Sequence, residues 1–367
     1  MLDPMVRASL GDESAGVQKW SYDVIQDTGP GQLGLGRSVY RLTGTARGRG
    51  GLVEWSLILK IQSDDIQRER MTFESGLLDE LPDDLVAPRC FGLVEKPDGD
   101  YWIWLEDVSG LYGESWPWER LVVASRQLGQ FNGSFAARRD VLEQPWLLCW
   151  PFGNWDGVGD IISQLRGAQD YPLIKRAFPP EVADGVHKMW VHRRQFLGAL
   201  EALPRGLGHG DVQRRNLFSR SRDGRDETVL IDWGSTATSP LGVEIHKITS
   251  TVRYLRDYSM AQIRELRQSA YSEYIAGLRD AGWRGDERQV RLGYAIAVSL
   301  CNALSELPSI YRVGTEESAQ DRARVTIGDR PIEENMDRRR ELLRMFLDLA
   351  EEAYELLDRG VTPSAKV

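Results

Sequence analysis

The 367-residue sequence predicts an α+β fold, with an N-terminal antiparallel sheet carrying one helix and a mainly helical C-terminal part. Three observations predict it. Through roughly the first hundred residues, short β-branched and aromatic runs are bounded by Gly, Pro and Asp, the pattern of strands and tight turns. From residue 116 onward, apolar residues recur three and four apart over long stretches, the pattern of amphipathic helices. The period changes once along the chain, from two to about 3.6, which sets a β part before a helical part.

Composition bounds the function. Hydrophobic content of 41% with 28% charged residues suits a soluble globular chain long enough for two domains. A net charge of −9 and a pI near 5.2 argue against a nucleic-acid partner. Cys90, Cys149 and Cys301 are far apart and lack metal-binding spacing, so they are expected as buried thiols in a reducing compartment. No signal pattern opens the chain and no run approaches a membrane span, so a cytoplasmic protein with no membrane partner is expected.

In order, residues 1–20 are polar and expected to be loosely ordered at first, and 20–25 form a first strand. Residues 28–38, TGPGQLGLGRS, make a glycine-rich connection to a second strand at 39–42. Glycine lets a backbone approach phosphate closely and turn its N–H groups toward it, although such a loop is also simply a flexible hairpin. No Gly-Lys-Ser/Thr follows, so it is not a Walker A loop. Residues 44–51 are a polar hairpin tip, and 53–61, VEWSLILKI, are a strong β run with Lys60 near its end. Such a lysine can protect a sheet edge or contact nucleotide phosphates, and the loop before it favours the second reading.

Residues 64–81 have helical spacing, with Asp64 or Asp65 as a cap. Glu69 and Glu74 are both candidates to pair with Lys60, but five residues turn a helix by about 140°, so only one can face it. Residues 86–94 and 101–108 read as two strands joined by a Lys-Pro-Asp-Gly turn. Helices are expected at 116–137 and 181–203, with a Trp-, Pro- and Gly-rich loop at 144–160 and an ambiguous stretch at 161–178. Helices are also expected at 260–280, 287–307 and 331–357, with a polar loop over 308–330 and a frayed end.

The chemistry-bearing stretch lies between these helices. Gly208-His209-Gly210-Asp211 is followed by Asn216, and Val229-Leu230-Ile231 runs into Asp232-Trp233-Gly234. Each piece alone is common. Together, an Asp with Asn five residues on and a β run ending in Asp-Trp-Gly match the spacing of a phosphoryl-transfer site. Asp211 can take the proton of an acceptor hydroxyl. Asp232 and Asn216 can hold magnesium.

This order resembles the aminoglycoside phosphotransferase and choline kinase superfamily, whose working motifs are His-Gly-Asp…Asn and Ile-Asp-Trp/Phe. The resemblance implies a bilobal protein-kinase-like fold with a hinge near 104–108, which divides a nucleotide-phosphate-binding lobe, residues 1–105, from a lobe with the catalytic loop and acceptor-binding helices, residues 106–367. It implies an ATP-dependent phosphotransferase using Mg2+ and acting on a hydroxyl of a small-molecule acceptor: an aminoglycoside or other antibiotic, a sugar or an amino alcohol. Asp211 is then the catalytic base, and Asn216 and Asp232 the metal ligands. Gly34, Gly36, Ser38 and Lys60 contact phosphate, and Glu106 and Val108 offer main-chain groups to the base. The segment RERMTFESGLL is similar to one in bacterial members and selects Glu69 as the partner of Lys60.

Glu244 stands where the superfamily often has an acidic residue opening a helix. His209 reads as a brace for the loop rather than as the base. Arg214 and Arg215 are either charge-neutralising or a solvated pair. Acidic residues such as Glu306, Glu316 and Glu317 would suit an amino-bearing acceptor, or are solvated charges. The chain lacks Ala-Pro-Glu and a recognisable activation segment, which counts against the alternative of a protein kinase. A nucleotide-binding module without catalysis is the alternative from another class. A monomer and a homodimer both remain open.

Overall fold

A computed structural model describes residues 2–27, 37–62, 68–97, 99–150, 156–222, 224–250, 258–327 and 331–361. The chain divides into two compact units that alternate along the sequence. The first comprises Met1–Trp116, Pro145–Leu147 and Arg214–Thr236; the second comprises Pro117–Gln144, Leu148–Gln213 and Ala237–Val367. The expected α+β class is observed, with an antiparallel N-terminal sheet and a helical C-terminal part.

In the first unit, helix α1 (Leu2–Leu10) precedes β1 (Gly16–Asp27), β2 (Arg37–Gly48) and β3 (Gly51–Gln62). After α2 (Arg68–Glu74) come β4 (Leu85–Val86), β5 (Cys90–Glu95), β6 (Tyr101–Glu106) and β7 (Leu111–Tyr112). Five strands form one antiparallel sheet in the order β1-β2-β3-β6-β5. On β3 the strand period of two sends Trp55, Leu57 and Leu59 to one face, where they form a core with Val6 of α1 and with Leu42 and Trp104. Lys60 has the opposite parity. It is also flanked by β2 and β6, so it does not guard a sheet edge. A smaller sheet, β4-β11-β10-β7, is built around the hairpin of β10 (Leu217–Arg222) and β11 (Arg225–Leu230).

In the second unit, α3 (Trp118–Ser134) lies against α9 (Met260–Asp280). Their backbones come close because each helix has a glycine where they approach. A Cβ on Gly129 would run into the carbonyl of Tyr274, and one on Gly277 into the carbonyl of Arg126. Between them in sequence lie α4 (Arg139–Leu142), β8 (Leu148–Cys149), α5 (Val158–Gly167), α6 (Pro172–Ala177) and α7 (Pro180–Ala202). There follow β9 (Arg205–Gly208), β12 (Ala237–Pro240) and α8 (Ile245–Thr249), with a sheet in the order β8-β12-β9. The C-terminal helices are α10 (Glu287–Ala297), α11 (Ala303–Thr315), α12 (Glu317–Ile327) and α13 (Ile332–Asp358), with a π-helical turn at Val298–Asn302 joining α10 to α11.

Several expectations need correction. Residues 2–10 are helical rather than loose: Val6 is fully buried, Asp3 Oδ1 accepts the Val17 N–H at 2.8 Å and Arg7 Nε donates to the Ala15 carbonyl at 2.8 Å. Within the described residues, the helix expected over 64–81 is broken into α2 and a 3-10 turn at Leu77–Glu80, because Gly76 between them is left-handed at φ 76°. The proposed caps Asp64 and Asp65 lie outside the described residues. The run at 86–94 splits into β4 and β5 around Pro88, which has no N–H to donate and restrains Ala87.

The polar loop expected over 308–330 is largely helix. Burial of Leu304, Leu307, Ile310 and Val313 carries α11 through Pro308 despite the lost hydrogen bond, and α12 follows. The cysteines are unpaired, but Cys149 is exposed rather than buried, since two-residue β8 turns it outward. Among the described residues no helix is long and apolar enough to cross a membrane.

Candidate active site

In the first unit, the parity that turns Lys60 away from the Leu57 and Leu59 face gives its ammonium two carboxylates. Lys60 Nζ donates to Glu69 Oε1 at 2.8 Å and to Asp232 Oδ1 at 3.1 Å. Gln62, two residues on and so of the same parity, donates Nε2 to Glu69 Oε2 at 2.7 Å. Both oxygens of Glu69 are thus engaged and its side chain has no exposure, whereas Asp232 keeps 34% of its side-chain surface. Burial alone would depress the Lys60 ammonium, but Glu69 and Asp232 outweigh it and the net shift is upward, so Lys60 is held charged. Glu74 instead meets Arg70 at 3.5 Å on the exposed side of α2.

The β10–β11 hairpin supplies the oxygen donors. Leu217 pairs with Leu230, so the next rung sets Asn216 opposite Ile231, and the Ile231 N–H donates to the Asn216 carbonyl at 2.9 Å. Asp232 follows at once, at the same end of the ladder. Its backbone is left-handed, φ 66° and ψ 62°; among the described residues it is the one non-glycine with positive φ. Aspartate tolerates this region better than most residues, and such conformations persist where neighbours fix them. Here buried Trp233 donates its indole N–H to the Leu230 carbonyl at 2.7 Å, and Thr72 of α2 donates to Thr236 Oγ1 at 3.0 Å. The segment after Asp232 and the helix bearing Glu69 are therefore tied together.

Asn216 and Asp232 offer hard oxygen donors. Among the described residues no three His, Cys, Asp or Glu side chains could form a metal site by themselves. A set of one carboxylate and one amide fits Mg2+, which takes one or two protein ligands and fills the rest of its shell with phosphate oxygens and water.

In the second unit, Asp211 follows Gly210, left-handed at φ 79°. Gln213 Nε2 donates to Asp211 Oδ1 at 2.8 Å, and Lys247 Nζ of α8 lies 3.4 Å from the same oxygen and donates to the Gly210 carbonyl at 2.5 Å. Behind the loop sits Glu244, the residue before α8. Its Oε1 accepts the Gly210 N–H at 2.5 Å and its Oε2 accepts from Asn132 Nδ2 at 3.0 Å. Asn132 also donates to the Leu207 carbonyl at 2.9 Å, and Tyr274 donates to Asn132 Oδ1 at 2.8 Å. Burial raises the Glu244 carboxyl above the usual range against the pull of these donors. No side chain fits at residue 208, where a Cβ would stand 2.7 Å from that carboxyl. His209 is fully buried, and its Nδ1 accepts the Asp211 N–H at 3.2 Å.

Lys60, Glu69 and Asp232 are thus brought together, and Asn216 shares a hairpin end with Asp232. Ser38 is half-buried on β2, paired with Ile61. Gly34 and Gly36 lie outside the described residues. The Glu106 N–H is already given to the Arg89 carbonyl at 2.9 Å and its carboxylate binds Arg220 at 2.5 Å; Val108 lies just past β6, half-buried. Arg214 is buried and Arg215 exposed, so they are not a solvated pair. Glu306 binds Arg339 at 2.6 Å, which already neutralises it.

The sequence reading passed over Gln62, Asn132 and Lys247. Parity with Lys60 could have pointed to Gln62. Nothing local marks Asn132, whose partner Glu244 is 112 residues away.

A family model described as a phosphotransferase enzyme family matches residues 31–285. No curated protein matches the chain. Among solved structures, the chain is similar to a spectinomycin phosphotransferase in complex with ADP and spectinomycin, at 12% identity and a TM-score of 0.47, covering 95% of this chain and 97% of that one. It is also similar to an aminoglycoside phosphotransferase from Streptomyces rimosus, at 16% identity and a TM-score of 0.41, covering 80% and 96%. A third is an ethanolamine kinase from Plasmodium vivax, at 11% identity and a TM-score of 0.42, covering 86% and 83%. With well over half of its length matched by the family model, the chain belongs to the phosphotransferase enzyme family.

Proposed function

We propose that the chain is an ATP-dependent, Mg2+-requiring kinase that phosphorylates a hydroxyl of a small molecule. The observation that carries this reading is the buried contact of Lys60 with Glu69 and Asp232, in a chain of this family. An ammonium held charged between two carboxylates, one of them partly exposed, is suited to receive phosphate oxygens.

Lys60, oriented by Glu69, would contact the α- and β-phosphates. Asn216 and Asp232 would hold Mg2+, which neutralises charge on the phosphates. Ser38, with Gly34 and Gly36, would line the phosphates, and main-chain groups of Glu106 and Val108 would meet the base; for Glu106 this leaves its carbonyl, since its N–H is committed. Asp211, its carboxylate oriented by Gln213 and Lys247, would accept the proton of the attacking hydroxyl as the new O–P bond forms and ADP departs. Glu244 fixes the backbone that carries Asp211. The helices of the C-terminal part would supply the acceptor site.

The test is ADP release from ATP and Mg2+ over a panel of antibiotics, sugars, amino alcohols and nucleosides, with Asp211→Asn as the control. The reading expects at least one acceptor to drive release that the variant loses. ATP binding in calorimetry without transfer to any acceptor would instead mark a nucleotide-binding module, and label transferred to protein would mark a protein kinase.

A further inference from the structure

We propose that the outer edge of β1 is a homodimer interface, at which two copies pair antiparallel about Ser21 and join their five-stranded sheets into one. Among the described residues β1 is an end strand, bonded on one side to β2. Its ladder shifts register between Val17 and Lys19 and again between Val24 and Gln26, so the regular stretch is Lys19 to Val24. Natural edges are usually shortened, charged throughout or covered. This one presents Trp20, 51% exposed, and Tyr22, 58% exposed, with Val24 beside them. The two rings are 6.5 Å apart, and Tyr22 meets Tyr40 edge-on at 5.8 Å. They form the rim of an apolar cleft of about 400 Å³ that continues over Leu59, Ile61 and Trp102 on the face where α1 packs.

The sequence of the edge selects a second copy as its occupant. Across an antiparallel pair, opposed residues lie on the same face, so a two-fold axis must pass through a residue position. Centred on Lys19 or on Asp23, the pairing sets like charges against each other. Centred on Trp20 or Tyr22, it sets one of those charges against Ser21. Centred on Ser21, it opposes Lys19 to Asp23 of the second copy, twice, and Trp20 to Tyr22 of the second copy, twice. The ion pairs then share one face and the four rings the other, which extends the apolar cleft. Opposite charges and aromatic pairs at directly opposed positions are what stabilise a strand pairing.

Analytical ultracentrifugation over a concentration series tests this on the full chain, with circular dichroism confirming the fold of each variant. The wild type is expected to dimerise. Lys19→Asp and Asp23→Lys alone each replace two attractive pairs by repulsive ones and are expected to raise the dimer dissociation constant by roughly tenfold or more. The double variant restores both pairs with their signs exchanged and is expected to return to within about threefold of wild type. A wild type that sediments as a monomer throughout overturns the proposal. So does a dimer indifferent to the single reversals, or one that the double variant fails to restore.

Discussion

Two buried carboxylates in this molecule are handled in opposite ways. Glu69 in the first unit is held by a full positive charge and an amide, Lys60 and Gln62. Glu244 in the second is held chiefly by neutral N–H donors, the Gly210 backbone and Asn132, with the Lys247 charge a lesser influence, and its carboxyl is raised by burial. The first arrangement holds a cation in one place, and under the proposed function that cation would meet the nucleotide phosphates. The second fixes a loop, because it holds the Gly210 backbone directly and, through Asn132, the Leu207 carbonyl. A charge-handling site and a loop-fixing site should therefore fail differently when broken.

The largest effect is expected at the groups placed nearest the chemistry. Asp232→Asn and Asp211→Asn should each lower turnover by about a thousandfold or more, the scale seen when a group acting on transition-state charge or proton is removed. Asn accepts the left-handed backbone that residue 232 adopts, so Asp232→Asn should lose only its ion pair with Lys60, and less stability than Glu69→Gln because Asp232 is partly exposed. ADP release and thermal denaturation measure the two effects separately. A variant that keeps wild-type turnover would remove that residue from the mechanism.

Glu69→Gln comes next. It leaves Lys60 buried with Asp232 alone, at 3.1 Å. Breaking a buried pair costs about 3–5 kcal/mol, and the remaining carboxylate places this case near about 3 kcal/mol. Urea denaturation reads it, and turnover should fall by roughly ten- to a hundredfold as the ammonium loses its orientation. The contrast with Glu244→Gln is the instructive part. Gln at 244 keeps an acceptor for the Gly210 N–H, loses the one for Asn132 Nδ2, and removes a carboxyl that burial disfavours as an anion, so its stability should be less affected than that of Glu69→Gln, which strips a charge from a buried ammonium.

What the sequence showed, and what it did not, follows the same division. Lys60, Asp211, Asn216 and Asp232 stand out because each interrupts or ends an apolar run or falls at a fixed spacing, and such signals are local. The helix spans 260–280 and 331–357 are legible because their buried faces repeat over many turns; α9 matches its expected bounds and α13 is shifted by one residue toward the C-terminus. α1 was not, because nine residues give barely two repeats of the pattern. α12 was not, because a polar helix looks like a loop until α11 and α13 lie beside it. Lys247 and Asn132 were invisible because burial and hydrogen bonding to residues far along the chain, not their own neighbours, define what they do.

Protonation offers a third, smaller way to separate the units. His246, two residues after Glu244, is buried; burial depresses its imidazole to about 3, with the Lys247 charge adding to the effect. The folded state then holds it neutral while the unfolded chain protonates it below the ordinary value of 6.5. The unfolded state binds the extra proton throughout that window, so stability is lost as pH falls from 6.5 toward 3. The slope contributed is up to about 1.4 kcal/mol per pH unit. His246→Gln should flatten that part of the profile in urea denaturations at a series of pH values. The imidazole Nδ1 already lies 2.6 Å from the Val243 carbonyl, so an unchanged slope would mean that this contact holds the proton on the folded protein as readily as on the unfolded chain.

The smallest effect is expected at Glu74, and it tests the comparison most directly. Glu69 and Glu74 lie on one helix, and the sequence alone left both able to face Lys60. In the structure Glu74 is 42% exposed and pairs at 3.5 Å with Arg70, four residues before it. Such a pair contributes about 0.3–0.5 kcal/mol, and salt screens it. Glu74→Gln should therefore shift the urea midpoint barely beyond error, lose even that shift in high salt, and leave turnover unchanged. Glu69→Gln keeps its larger penalty in high salt, because its pair is out of reach of mobile ions. Equal losses from the two variants would mean that Lys60 exchanges between the carboxylates, and the charge-handling role could not then be assigned to Glu69 alone.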